Sequence, residues 1–138
     1  MYKRQTQQYA RNLFSDFDKT WERKIKEAFY ALKLEIAYDK ETILEGYLNT
    51  INFGHGNYGI EDAALFYFDK HASELTLEEA SVLVGIPKGP SYYSPLINYE
   101  NAMSRKQIVL KSMLVEDYIT QEEYDLALNT EATIIRCV

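Results

Sequence analysis

Arg23, Lys24 and Glu27 stand in one short run, Arg23-Lys24-Ile25-Lys26-Glu27. On a helix Lys24 and Glu27 are three apart and Arg23 and Glu27 are four apart, so all three side chains share one face. Two cations beside one carboxylate suit a site that handles a pyrophosphate. The cations neutralise phosphate oxygens, and the carboxylate holds a divalent ion or orients a reacting group. On their own the same five residues more readily describe a solvated helix face with an ordinary Glu/Arg pair, worth about 0.2–0.5 kcal/mol. A second pair, Gln8 and Arg11, is also three apart. A glutamine amide both donates and accepts, which is useful where sugar hydroxyls must be held; the alternative is a polar helix face. His55 and His71 lack partners at metal-ligand spacing, so a zinc site is not expected.

These residues need helices to carry them, and the hydrophobic pattern supplies helices. Thr6 to Phe14 reads as helix, with Tyr9, Leu13 and Phe17 on one apolar side. Asp18 to Thr20 is a short connection, with Thr20 as a cap. The central helix runs from about Trp21 to Tyr38, with Ala28, Leu32 and Ile36 at helical spacing and no Gly or Pro to interrupt it. Asp39 follows, then a helix from about Lys40 to Ile51 that should bury Ile43, Leu44, Tyr47 and Leu48. Asn52 to Gly59, with three glycines and two asparagines, is a loop. It is not a phosphate-binding fingerprint, because no strand precedes it. Ile60 to Phe68 is a short apolar helix. Thr76 with Glu79 makes a capping box for a helix over Leu77 to Gly85. Ile86 to Pro95 holds all three prolines and reads as a long ordered loop. Asn98 to about Glu116 is helical and carries Arg105 and Lys106. Thr120 caps a last helix to about Leu128. No segment shows sustained strand alternation. The class is all-α, with room for one short hairpin or extended piece near the glycine loop.

The chain has 138 residues, 46% hydrophobic and 26% charged, which fits one globular domain with a real core. The net charge of −6 is uneven. Residues 1–26 carry +4 and the remainder −10. A basic first segment on an acidic body points to one local anionic partner and argues against a nucleic-acid surface. Twelve tyrosines suit a sugar or lipid groove, or a wet boundary with buried rings. Cys137, the single cysteine, allows no internal disulfide. No apolar run approaches a membrane span, and no signal peptide is evident.

Taken together, these segments resemble glycosyltransferase family 51, the peptidoglycan glycosyltransferase (transglycosylase) domain of class A penicillin-binding proteins and monofunctional transglycosylases. Thr6-Gln7-Gln8-Tyr9-Ala10-Arg11-Asn12 matches the family's T-Q-Q-x-x-[KR]-N motif. Arg23-Lys24-Ile25-Lys26-Glu27 matches R-K-x-x-E, and Ile43-Leu44-Glu45-Gly46-Tyr47-Leu48-Asn49 matches I-L-E-x-Y-L-N. Arg105-Lys106 with Val109-Leu110 matches a fifth motif. Phe53-Gly54, Tyr58-Gly59, Ala63-Ala64, Tyr67-Phe68, Glu79-Ala80 and Pro90-Ser91 keep the family's order between them. The resemblance covers Thr6 to about Ala127. The family's first motif, E-D-x-x-F-x-x-H-x-G with its proposed general-base Glu, has no counterpart in these residues. Lys3-Arg4-Gln5 stands where the family has G-x-S-T-I, and Asp69 replaces the Gly of Y-F-G-K. The expected organisation is a non-matching stub over 1–5, a partial transglycosylase domain over 6–130 and a non-matching tail over 131–138. The chain is thus expected to be an internal fragment, incomplete on its N-terminal side, inactive alone, and left with a partly open apolar groove.

The resemblance implies a lysozyme-like helical fold and a reaction that polymerises lipid II into a growing glycan strand, releasing undecaprenyl pyrophosphate. It implies Glu27 as a catalytic carboxylate. Arg11, Arg23 and Lys24 would bind phosphate oxygens, Gln8 would hold sugars, and Arg105 is a further substrate-binding candidate. Glu45, Tyr47 and Asn49 would anchor a helix–loop junction. A divalent cation, Mg or Mn, at the pyrophosphate and a place on the outer face of the bacterial cytoplasmic membrane are implied likewise, with no organic cofactor and no nucleic acid. Two rival readings are a lysozyme-like hydrolase, which would not need the Arg23/Lys24 pair, and a helical interaction module, which should show a repeat period that is absent here.

Overall fold

The computed structural model describes residues 2–13 and 21–135, without the side chains of residues 2, 3 and 21–24. Expectations that fall on Phe14, Phe17, Thr20 and Cys137 lie outside these residues. The chain divides into two compact units, Met1–Ile51 and Asn52–Val138.

The first unit holds α1 (Tyr2–Leu13), α2 (Trp21–Ala37) and α3 (Lys40–Leu48). α1 starts four residues before Thr6, since nothing in Tyr2 to Gln5 breaks a helix. It packs against both α2 and α3. The expected buried side of α1 is corrected: Leu13 is exposed, Tyr9 is half-buried, and the buried residues are Thr6 and Ala10. Among the described side chains of α2 the buried one is Ala31, whereas Ala28, Leu32 and Ile36 are exposed. Small side chains let helix axes approach closely, and α2 has apolar residues around most of its circumference, so apolarity alone did not mark its inner face. Ile25, Phe29, Leu32 and Ile36 form an exposed apolar ridge along α2. α3 is capped by Asp39, whose side chain accepts from Thr42 N at 2.8 Å, and it closes at Leu48 rather than Ile51. Ile43 is its buried residue; Leu44 is exposed, and Tyr47 and Leu48 are half-buried. Gly46 lies under Tyr9, where an added Cβ would stand 2.5 Å from the phenol oxygen.

The second unit holds α4 (Ile60–Phe68), α5 (Leu77–Gly85), α6 (Pro90–Tyr93), α7 (Tyr99–Val115) and α8 (Gln121–Asn129). Ile86 to Pro95, expected as one long ordered loop, forms a 3₁₀ turn over Ile86–Lys88 and then α6 (Pro90–Tyr93), with Pro90 at the first helical position, where its missing N–H is no loss. The capping boxes form as expected. Thr76 N donates to Glu79 Oε2 at 3.0 Å, and Thr120 N donates to Glu123 Oε2 at 2.8 Å. Among the described residues no strand forms, and the glycine loop closes on one antiparallel bridge between Asn52 and Tyr58. The core is Phe53, Tyr67, Val82, Leu83, Ile86 and Leu110, floored by Ala63 and Ala64. Part of the expected tail joins this unit: Ala132 is buried and Ile135 N donates to Tyr67 O at 2.9 Å.

His71 Nδ1 lies 2.5 Å from Glu61 Oε1, and Ala72 N donates to Glu61 Oε2 at 2.9 Å. The bond to Glu61, aided by the charges of Glu61 and Glu74, raises the His71 ring above its ordinary 6.5. The bonds from Ala72 and His71 hold Glu61 below its ordinary 4.5. The histidine's contribution is whole below 6.5 and fades as pH rises through its folded value. The glutamate's is whole above 4.5 and fades as pH falls. The pair is therefore strongest between those limits. An NMR titration should find the His71 ring above 6.5, and Glu61→Gln should lower it; an unshifted ring in the unmutated chain would show that the pair does not form in solution.

Candidate active site

α2 runs seventeen residues without Gly or Pro and sets the spacing of the central motif. Arg23 and Lys24 have their backbones in its first turn, and Glu27 follows one turn later. The side chains of Arg23 and Lys24 lie outside the described residues. The first turn of a helix presents free N–H groups and the positive end of the macrodipole, which favours an anion at the place where these cations begin. Glu27 is half-buried. Arg11, in the last turn of α1, brings its Nε to 3.9 Å from Glu27 Oε1, with side-chain exposures of 56% and 22%. That distance is too long for a hydrogen bond and short enough for Coulombic attraction. Such a half-exposed pair is worth about 0.2–1 kcal/mol. Gln8 is one turn before Arg11 and exposed. The first unit thus brings Arg11 to Glu27, a guanidinium nearer solvent beside a half-buried carboxylate, with Gln8 one turn along the guanidinium's own helix.

Arg105 lies on α7, in the second unit. Its neighbour Lys106 is buried, with Nζ donating to Thr130 O at 2.8 Å. Burial lowers the Lys106 ammonium's pKa, and Glu78 and Glu131 partly restore it. Thr130 is the C-cap of α8, so Lys106 ties that helix end to α7 and is structural. Arg105 points elsewhere. Its guanidinium carbon stands 5.9 Å from the centre of the Tyr93 ring. Its Nε is buried with no hydrogen-bond partner among the described residues. An orphaned buried donor costs about 1–3 kcal/mol, more than the roughly 0.5–1 kcal/mol of an exposed cation–π contact. Packing must therefore hold this side chain in place. Gly85 and Tyr93 supply that packing, and sequence reading missed both, since they are twenty and twelve residues from Arg105.

The two histidines are used inside the fold. His55 Nε2 is 2.9 Å from Ser94 Oγ, and His71 bonds Glu61. Among the described residues no group of three or more His, Cys, Asp or Glu gathers as metal ligands.

The family model described as transglycosylase matches residues 5–114, most of the chain and every motif named above. The chain belongs to the transglycosylase family. This transglycosylase chain is 55% identical over 120 residues to penicillin-binding protein 2D of Bacillus subtilis, covering 87% of this chain and 17% of that protein. It is 50% identical over 129 residues to penicillin-binding protein 1A of Aquifex aeolicus, covering 94% and 18%. The 2.6 Å crystal structure of penicillin-binding protein 1A from Haemophilus influenzae superposes with a TM-score of 0.64 at 30% identity, over 96% of this chain and 17% of that one. The fold is thus the helical, lysozyme-like transglycosylase fold. The transglycosylase chain spans about one sixth of the length of these relatives. Among the described residues no helix is long and apolar enough to cross a membrane.

Proposed function

We propose that this chain is part of a peptidoglycan glycosyltransferase that polymerises lipid II into glycan strands. The observation that carries the reading is the approach of Arg11 to Glu27 across two packed helices, one turn from Arg23-Lys24, in a transglycosylase. The 4-hydroxyl of an acceptor sugar attacks the anomeric carbon of a lipid-linked donor with inversion. The bond to the pyrophosphate oxygen breaks, its electron pair leaves with undecaprenyl pyrophosphate, and the hydroxyl proton passes to a base. Arg11, Arg23 and Lys24 hold pyrophosphate oxygens and stabilise the negative charge that builds there. Gln8 holds sugar hydroxyls, Glu27 acts at the leaving group, and Arg105 binds a further substrate phosphate oxygen. A single half-buried carboxylate beside substrate phosphates suits Mg or Mn, which takes one or two protein carboxylates and completes its shell with phosphate and water. Bound there through Glu27, the ion would supply charge neutralisation. Such a protein works at the outer face of the bacterial cytoplasmic membrane, where its partners are lipid II and the growing strand.

These 138 residues contain no counterpart of the family's upstream acidic motif. General-base catalysis is worth roughly two to four orders of magnitude, so the chain alone is expected to leave lipid II unpolymerised. The functional test is a graft. Replacing the matching segment of the Bacillus subtilis relative with this chain's 120 aligned residues should give a protein that polymerises lipid II in detergent. A folded chimera with no polymer would overturn the reading; polymer from the isolated chain at a rate near that of a complete domain would overturn only the expectation that the chain is inactive alone.

A further inference from the structure

We propose that Gly85 and Tyr93 are positioning residues that hold the Arg105 guanidinium ready for a substrate phosphate oxygen; the proposal rests on the reading of Arg105 as a phosphate ligand. Gly85 ends α5 with φ −72° and ψ −28°, ordinary helical values that any residue adopts. Its backbone does not require glycine, but its surroundings do. A Cβ there would stand 2.7 Å from Arg105 Cγ and 3.5 Å from Arg105 Cβ. These atoms are at the root of the arginine side chain, which cannot swing aside without changing rotamer. Beyond that point the guanidinium lies over the Tyr93 ring, 5.9 Å from its centre, and Nε is buried without a partner among the described residues. No ion pair to Arg105 is found among them either. Its conformation is set by shape, with a bare backbone beneath the stem and an aromatic face beside the head. An arginine fixed in this way loses little freedom when it meets a phosphate, which is the advantage of preorganisation. Lys106, tied to Thr130, cannot take its place.

The test uses the chain itself, with inorganic pyrophosphate as the probe. In nitrogen–proton NMR spectra the Arg105 Nε–H signal should exchange slowly with water and be displaced by the Tyr93 ring current. Gly85→Ala and Tyr93→Leu should both bring it to the position and fast exchange of a solvated arginine. Tyr93→Phe, which keeps the ring, should leave it unchanged. Arg105→Ala should weaken pyrophosphate binding roughly tenfold, Gly85→Ala and Tyr93→Leu should follow it, and Tyr93→Phe should not. If Gly85→Ala loses its helical circular dichroism, Tyr93→Leu decides, since that ring is half-buried. An Arg105 signal unmoved by Gly85→Ala and Tyr93→Leu overturns the positioning role. So does a binding loss confined to Arg105→Ala. Signals that move while pyrophosphate affinity stays constant in every variant, Arg105→Ala included, overturn instead the reading of Arg105 as a phosphate ligand.

Discussion

Glu27→Gln, made in a protein that carries the complete transglycosylase domain, should slow lipid II polymerisation by at least about tenfold, or 1.4 kcal/mol in the barrier. The substitution keeps the size of the side chain and most of its hydrogen bonding and removes its charge. If Glu27 acts at the leaving pyrophosphate, directly or through a divalent ion, that charge is what the step needs. Stability should hardly move. Arg11 Nε is 3.9 Å from Glu27 Oε1 and the arginine is largely exposed, so the pair contributes only about 0.2–1 kcal/mol. A purely structural glutamate predicts the reverse: a lower melting temperature with normal turnover. Lys24→Ala should mimic the rate loss and also weaken inhibitors that bear a pyrophosphate, because it removes a point charge one turn from Glu27 on the same helix. A Glu27→Gln variant that polymerises at the unmutated rate would return Arg23 to Glu27 to the status of a solvated helix face.

The elements most legible in the sequence were those with capping chemistry at their ends. Thr76 with Glu79 marked α5 to the residue, and Thr120 with Glu123 marked the start of α8, because a capping box satisfies specific N–H groups and leaves little freedom of register. Ile86 to Pro95 was misread for a related reason. Proline stops a helix approaching it from the N-terminal side but is well placed to begin the next one, and Pro90 begins α6. Buried faces were harder to read. In the first unit Thr6, Ala10 and Ala31 are buried along with Ile43 and Ile51, and the first three do not stand out by hydropathy, while Ile25, Phe29, Leu32 and Ile36 remain outside. A contact between helices selects for small size where backbones approach, and a hydrophobic pattern records size poorly. The candidate site divides the same way. Arg23, Lys24 and Glu27 lie within five residues of one helix, so spacing put them together and the resemblance gave them a role. The approach of Arg11 to Glu27, and the setting of Arg105 between Gly85 and Tyr93, join residues on different helices. Such pairs follow from packing, which one sequence does not display.

Phe53→Ala should be among the most destabilising single changes in the second unit, at about 3–5 kcal/mol. Phe53 is fully buried, so truncation removes a whole ring from water-free surroundings and leaves a cavity that its neighbours fill only in part. Its backbone is committed as well. Phe53 N donates to Asn57 O at 2.9 Å, which pins the glycine loop, and Phe53 O accepts from the Tyr67 hydroxyl at 2.8 Å, which ties that loop to α4. Tyr67 is itself fully buried, and burial pushes its hydroxyl above the ordinary phenol range. Tyr67→Phe isolates the polar part of this arrangement. It keeps the ring and orphans one buried carbonyl, for a loss of about 1–3 kcal/mol. The two substitutions share a contact and should not add. Denaturant unfolding measures both, and amide exchange in the glycine loop and α4 shows whether the loss falls where Phe53 is bonded. A Phe53→Ala loss below about 1 kcal/mol, no more than a typical Ile→Val change in a core, would mean that the glycine loop lies on the core without anchoring it.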